Sequence, residues 1–128
     1  MITGVVTDDR QAIIHLIVRG PAGQEQEIEA IIDTGFDGSL SLPSSLVVQL
    51  GLPWRRRGRA LLADGSESVF DIYEATVDWD GEARRIPVDQ AETVPLVGMS
   101  LLEGYELTAQ VQRGGNVTVR ALSQTKSV

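Results

Sequence analysis

The chain contains no cysteine, which excludes a disulfide framework, thiolate metal centres and cysteine nucleophiles together. Its single histidine, His15, disfavours histidine-rich metal sites and most histidine-dependent hydrolase mechanisms. No stretch approaches the roughly 20 apolar residues that a membrane-spanning helix requires. Positive charge is scarce: Lys and Arg total 11 against 18 Asp and Glu, for a formal net charge of −7. An acidic chain gains nothing electrostatically from nucleic acid or an anionic membrane, so neither is expected as a partner. Residues 1–6 lack the basic start and apolar core of a secretory signal, and a cytoplasmic location is the expectation. Carboxylates and hydroxyls remain to carry any chemistry.

What is present is an ordinary globular composition, 42% hydrophobic and 23% charged over 128 residues, enough for one core. With no internal repeat and no linker, residues 1–122 are expected to form one domain, with 123–128 as a flexible tail. Short apolar runs bounded by turn residues dominate. Residues 2–7 and 12–19 read as strands. Residues 27–32 alternate, with Ile28, Ala30 and Ile32 on one face and Glu27, Glu29 and Ile31 on the other. That parity sends Asp33 out on the side of Ile31, where the strand gives way to a glycine-rich loop. Residues 44–50 are the best helix candidate: a serine to cap the start, Leu46, Val47 and Leu50 on one face, and Gly51 with Pro53 as the stop. Asp64-Gly65 predicts a two-residue hairpin between residues 60–63 and 68–75, and Asp80-Gly81 a second between 76–79 and 82–88. A short strand at 94–97 leads to a helical turn at 99–102, and 105–112 with 117–122 make a last hairpin. Many short strands and one small helix predict an all-β barrel.

The triplet Asp33-Thr34-Gly35 arises by chance in about a few per cent of chains this long, and Asp-x-Gly turns are common, so its context decides. It follows the apolar Ala30-Ile31-Ile32 at a strand end and precedes Gly35 and Gly38, where backbone can approach a second chain or a substrate closely. The run from Ala30 to Pro43 (AIIDTGFDGSLSLP) resembles the active-site segment of retropepsin-like aspartic proteases, and Phe36 after the triplet resembles a microbial branch of that clan with an Asp-Thr-Gly-Phe signature. Leu62-Ala63-Asp64-Gly65-Ser66 is similar to the tip of the clan's flap hairpin. Pro95-Leu96-Val97-Gly98 followed by Ser100-Leu101-Leu102 resembles the apolar-apolar-Gly segment that packs beside the active-site loop. The order is preserved over roughly residues 10–122. Phe36 and Met99 depart from the alanine and the arginine or asparagine that many retropepsins carry there, and Met99 bears on assembly.

The resemblance implies a closed acid-protease β-barrel acting as a two-fold homodimer, an aspartic endopeptidase that hydrolyses extended peptides without cofactor or metal. Asp33 would be the catalytic carboxylate, supported by Thr34, Gly35 and Phe36. Ala63, Asp64 and Gly65 would form the flap over the substrate, and Val97 with Gly98 would pack the loop. Only one Asp-Thr-Gly is present, so the second carboxylate must come from a second copy. The terminal strands, residues 2–7 and 117–122, are the candidates for a dimer sheet, since unpaired edges invite association.

Other features have plainer readings. His15 in an apolar strand is expected to be a satisfied or half-exposed strand residue rather than a catalytic one. The run Trp54-Arg55-Arg56-Arg57 with Arg59 reads as a solvated loop, the nucleic-acid reading being disfavoured by net charge. Asp78, Asp80 and Glu82 lack EF-hand spacing and read as surface charge. Two alternatives to the protease stand: a homodimeric barrel of the same fold that binds or scaffolds, and metal-assisted hydrolysis through Asp33 and Asp37.

Overall fold

The computed structural model describes residues 1–123. Apart from Ser123, the tail expected at 123–128 lies outside the described residues. Ten strands form one sheet: β1 (Ile2–Val6), β2 (Ala12–Arg19), β3 (Glu25–Ile32), β4 (Leu40–Leu42), β5 (Trp54–Leu61), β6 (Glu67–Trp79), β7 (Glu82–Gln90), β8 (Leu96–Val97), β9 (Tyr105–Ala109) and β10 (Asn116–Ala121). The strand order is β5-β6-β7-β4-β8-β3-β2-β1-β10-β9. An added pairing of β2 with β6, Val18 opposite Val77, closes six of the strands into a barrel. Two short helices, α1 (Ser44–Gln49) and α2 (Met99–Leu102), complete the fold, which is the all-β barrel that the sequence predicts.

Alternation decides what goes inside. Ile14, Leu16 and Val18 of β2, Ile28, Ala30 and Ile32 of β3, and Ala75, Val77 and Trp79 of β6 face one core together with Leu40, Leu42, Val88 and Val97. The parity expected for β3 holds, with Ile28, Ala30 and Ile32 buried and Ile31 half-buried on the opposite face. Trp79 meets Tyr105 edge-to-face, ring centroids 5.6 Å apart, a favoured geometry for aromatic quadrupoles.

The turns follow local chemistry. Asp80 and Gly81 both take positive φ, 52° and 85°, between the paired Trp79 and Glu82, as a two-residue type I′ hairpin turn requires. The first hairpin differs from expectation. Leu62 N–H donates to Ser66 O and Gly65 N–H to Leu62 O, so three residues, Ala63 to Gly65, form the loop. Gly65 at φ 86° supplies the left-handed residue of a G1 bulge.

Four further expectations are corrected. The run from Trp54 to Arg57 is not a loop: it opens β5, where Arg55 pairs with Glu74 at 2.8 Å and Arg57 with Asp71 at 3.7 Å, both acids on β6. The two strands predicted within residues 68–79 are one continuous strand shared by both hairpins. No serine caps α1; Pro43 holds the cap position, and the exposed Ser44 N–H donates instead to Glu92 Oε1 at 2.9 Å. Finally, the terminal strands are not free edges. β1 lies between β2 and β10, and β10 between β1 and β9, with Val117 and Val119 wholly buried. The edges among the described strands are β5 and β9. His15 stands exposed on the outer face of β2, its Nδ1 3.4 Å from Glu27 and its Nε2 4.0 Å from Glu29.

Candidate active site

Asp33 is placed by backbone bonds made where two strand ends run parallel. Ile31 pairs with Leu96 and Ile32 with Val97, and the Asp33 N–H donates to Val97 O at 2.9 Å. The chain then turns at once. Phe36 N–H donates back to Asp33 O at 3.1 Å, and Gly35 N–H donates to the Asp33 carboxylate at 2.9 Å. A Cβ at Gly35 would sit 3.3 Å from that carboxylate oxygen, so the glycine keeps the turn tight. The carboxylate is thus oriented by its own loop while remaining half-exposed.

The far side of the loop is clamped by the start of α2. Gly98 N–H donates to Ser39 O, Met99 N–H to Phe36 O and Ser100 N–H to Gly38 O, at 3.0, 2.8 and 3.1 Å. The Phe36 ring lies against Gly38 and Gly98, in space that a Cβ on either glycine would need. Thr34 is exposed and borders a hollow of about 300 Å³ with Met99, Tyr105 and Leu107.

A cleft of about 490 Å³ opens beside Asp33 and Phe36. Its apolar walls include Val69, Phe70 and Leu96, and its polar groups include Ser41, Ser68 and Asp89. Ala60 and Ser68 line it from the first hairpin, and they pair across β5 and β6. The structure therefore brings Asp33, Gly35 and Phe36 to this cleft, with Thr34, Val97 and Gly98 beside them. It does not bring Ala63, Asp64 or Gly65 there. They are exposed at the hairpin tip, where the Asp64 carboxylate accepts bonds from the Ser66 hydroxyl and N–H, which hold its pKa below the ordinary range. The shaft of the hairpin, not its tip, faces the cleft. Nothing local marks Ser41, Ser68, Phe70 or Asp89 as site residues; the only signal is strand parity, which puts Asp89 opposite the core residues Ile86 and Val88.

Among the described residues no three His, Asp or Glu side chains cluster as metal ligands would, and no helix is long and apolar enough to cross a membrane. Asp37 is exposed, and its carbonyl accepts the Ser100 hydroxyl.

Among solved structures, the chain is similar to a retropepsin-like aspartic protease from Rickettsia conorii, with a TM-score of 0.60 and 20% identity over 95% of this chain and 91% of that one. The chain has the retropepsin-like fold. A second similar structure is EIAV protease complexed with the inhibitor HBY-793, with a TM-score of 0.53 and 15% identity over 75% of this chain and 88% of that one. No protein-family model matches the chain, and no curated protein sequence matches it significantly. In this retropepsin-like frame, the loop carrying Asp33 sits at the end of β3, backed by β8 and α2, and the β5–β6 hairpin lies over the cleft.

Proposed function

We propose that the chain is an aspartic endopeptidase, active as a two-fold homodimer in which each copy contributes Asp33. The observation that carries the reading is the placement of Asp33: a carboxylate oriented by its own turn, at a strand end, on a cleft roofed by a hairpin. Two such carboxylates about 3 Å apart cannot both ionise, so they share one proton. The ionised member draws a proton from a water held between them while the protonated one polarises the scissile carbonyl. An extended peptide would lie in the cleft under the β5–β6 hairpin, with Ala63, Asp64 and Gly65 closing over it from the tip.

In this reading the dimer forms without the terminal strands, which are paired within the subunit. The surface that fits is the hollow at Thr34, Met99 and Leu107, beside the free edge β9. Met99 is 47% exposed there, and no hydrogen bond to the Thr34 hydroxyl is seen among the described residues. Substrates are therefore peptides or proteins, and no cofactor is invoked. The cytoplasm is the proposed setting, since a chain without cysteine needs no oxidising compartment.

Cleavage of a diverse peptide library between pH 4 and 7 tests the proposal, with wild type and Asp33→Asn compared after sedimentation establishes the assembly of each. Cleavage by a dimeric wild type that is lost in a folded, dimeric Asp33→Asn supports it. Equal profiles, or no cleavage at any pH, overturn it in favour of a binding module on the same fold.

A further inference from the structure

One row of registered side chains runs across the cleft face of the barrel. Ile31 pairs with Leu96, Leu96 with Ser41, Ser41 with Asp89, Asp89 with Ile72, and Ile72 with Arg56. The neighbours of Ser41 and Asp89 along their own strands, Leu40, Leu42 and Val88, belong to the core, so parity turns Ser41 and Asp89 away from it. Both line the cleft that holds Asp33.

Two polar groups in this row that are buried or half-buried are left without partners. Ser41 is 3% exposed, and its hydroxyl has no hydrogen-bond partner. Asp89 is half-buried and makes no hydrogen bond or ion pair among the described residues. A buried hydroxyl or carboxylate without a partner is costly, and such groups are retained where something else satisfies them. Gly38 contributes by absence: a Cβ there would meet Asp89 Oδ2 at 3.2 Å and the Phe36 ring at 2.5 Å. Arg56 stands beyond Ile72 in the same row. Its charge favours the ionised carboxylate, but no ion pair joins the two among the described residues.

We infer that Asp89 and Ser41 form a subsite for a cationic side chain, so that the chain selects peptides carrying lysine or arginine beside the scissile bond. An ammonium or guanidinium reaching the floor of the cleft donates to the Asp89 carboxylate and to Ser41 Oγ, while its aliphatic stem lies along Leu96 and Phe70. The inference rests on the proposed peptide cleft, and its test separates the two.

Full-length Asp33→Asn protein is titrated with paired fluorescent peptides that carry lysine or norleucine at one position, and wild type is assayed for cleavage of the same pairs. A charge-assisted hydrogen bond predicts a lysine preference of at least about tenfold in Kd. Adding Asp89→Asn brings that ratio to about one, and Ser41→Ala lowers it in part; melting curves confirm that each variant is folded. A lysine preference that persists in the folded Asp89→Asn variant, equal binding of both peptides, or no binding of either overturns the inference. Wild-type cleavage without lysine preference refutes the subsite and leaves the protease standing. Asp89-dependent lysine binding without any cleavage supports the subsite and refutes the protease.

Discussion

Gly98→Ala should damage the site loop more than its size suggests. A Cβ at Gly98 would lie 2.2 Å from Gly38 O, 2.6 Å from Phe36 Cδ2 and 2.7 Å from Phe36 O. Two of these three atoms are main-chain, and no rotamer change moves them. The loop must instead retreat from α2, and of the three bonds that hold it there the two most exposed to that shift are Met99 N–H to Phe36 O and Ser100 N–H to Gly38 O. Losing both at about 1 kcal/mol each, with about 1–3 kcal/mol for overpacking, gives a destabilisation of about 3–5 kcal/mol. Domains of this kind have only about 5–15 kcal/mol in hand. Urea denaturation measures the loss directly, and peptide cleavage should fall further than the folded fraction does, because the displaced loop carries Asp33. Gly114→Ala is the control: its φ of 72° is strained for alanine, but nothing lies within 4 Å, so about 1 kcal/mol is expected. A Gly98→Ala protein within 1 kcal/mol of wild type, or no worse than Gly114→Ala, would refute the packing argument.

Two other outcomes are expected. Burial raises the Asp89 pKa, with Arg56 opposing, so the native state holds that proton more tightly than the unfolded chain does. Stability on this account is lost as pH rises from the ordinary value of 3.8 through the raised one; Asp89→Asn should therefore be more stable than wild type at neutral pH and equal to it well below 3.8. A pH-independent difference in denaturation midpoint would contradict this. Met99→Glu places a charge on the exposed rim beside Thr34, and burying it unpaired should raise the dimer dissociation constant at least about tenfold. Sedimentation equilibrium checks this, and an unchanged constant would move the interface elsewhere.

Local chemistry, with the family resemblance, was enough to point to the candidate site in the chain. The alternation of residues 27–32 decided that Asp33 leaves β3 on the face of Ile31, because strand period is a local property. Asp80-Gly81 decided its turn for the same reason, since both positions tolerate positive φ. The apolar runs chose an all-β barrel, and Asp33-Thr34-Gly35-Phe36 pointed to the loop that the structure clamps. Closure of the barrel decided the rest. Parity shows that Asp89 faces away from Val88 but not which strand lies alongside, and only the parallel pairing of β4 with β7 sets it against Ser41. The same holds for Glu92, which is 48 residues from the Ser44 N–H it accepts, and for β1 and β10, whose edges are used up within the subunit. A chain sets its own periods and turns, whereas non-local neighbours depend on which hydrogen-bonding edges remain when every strand competes for the same core.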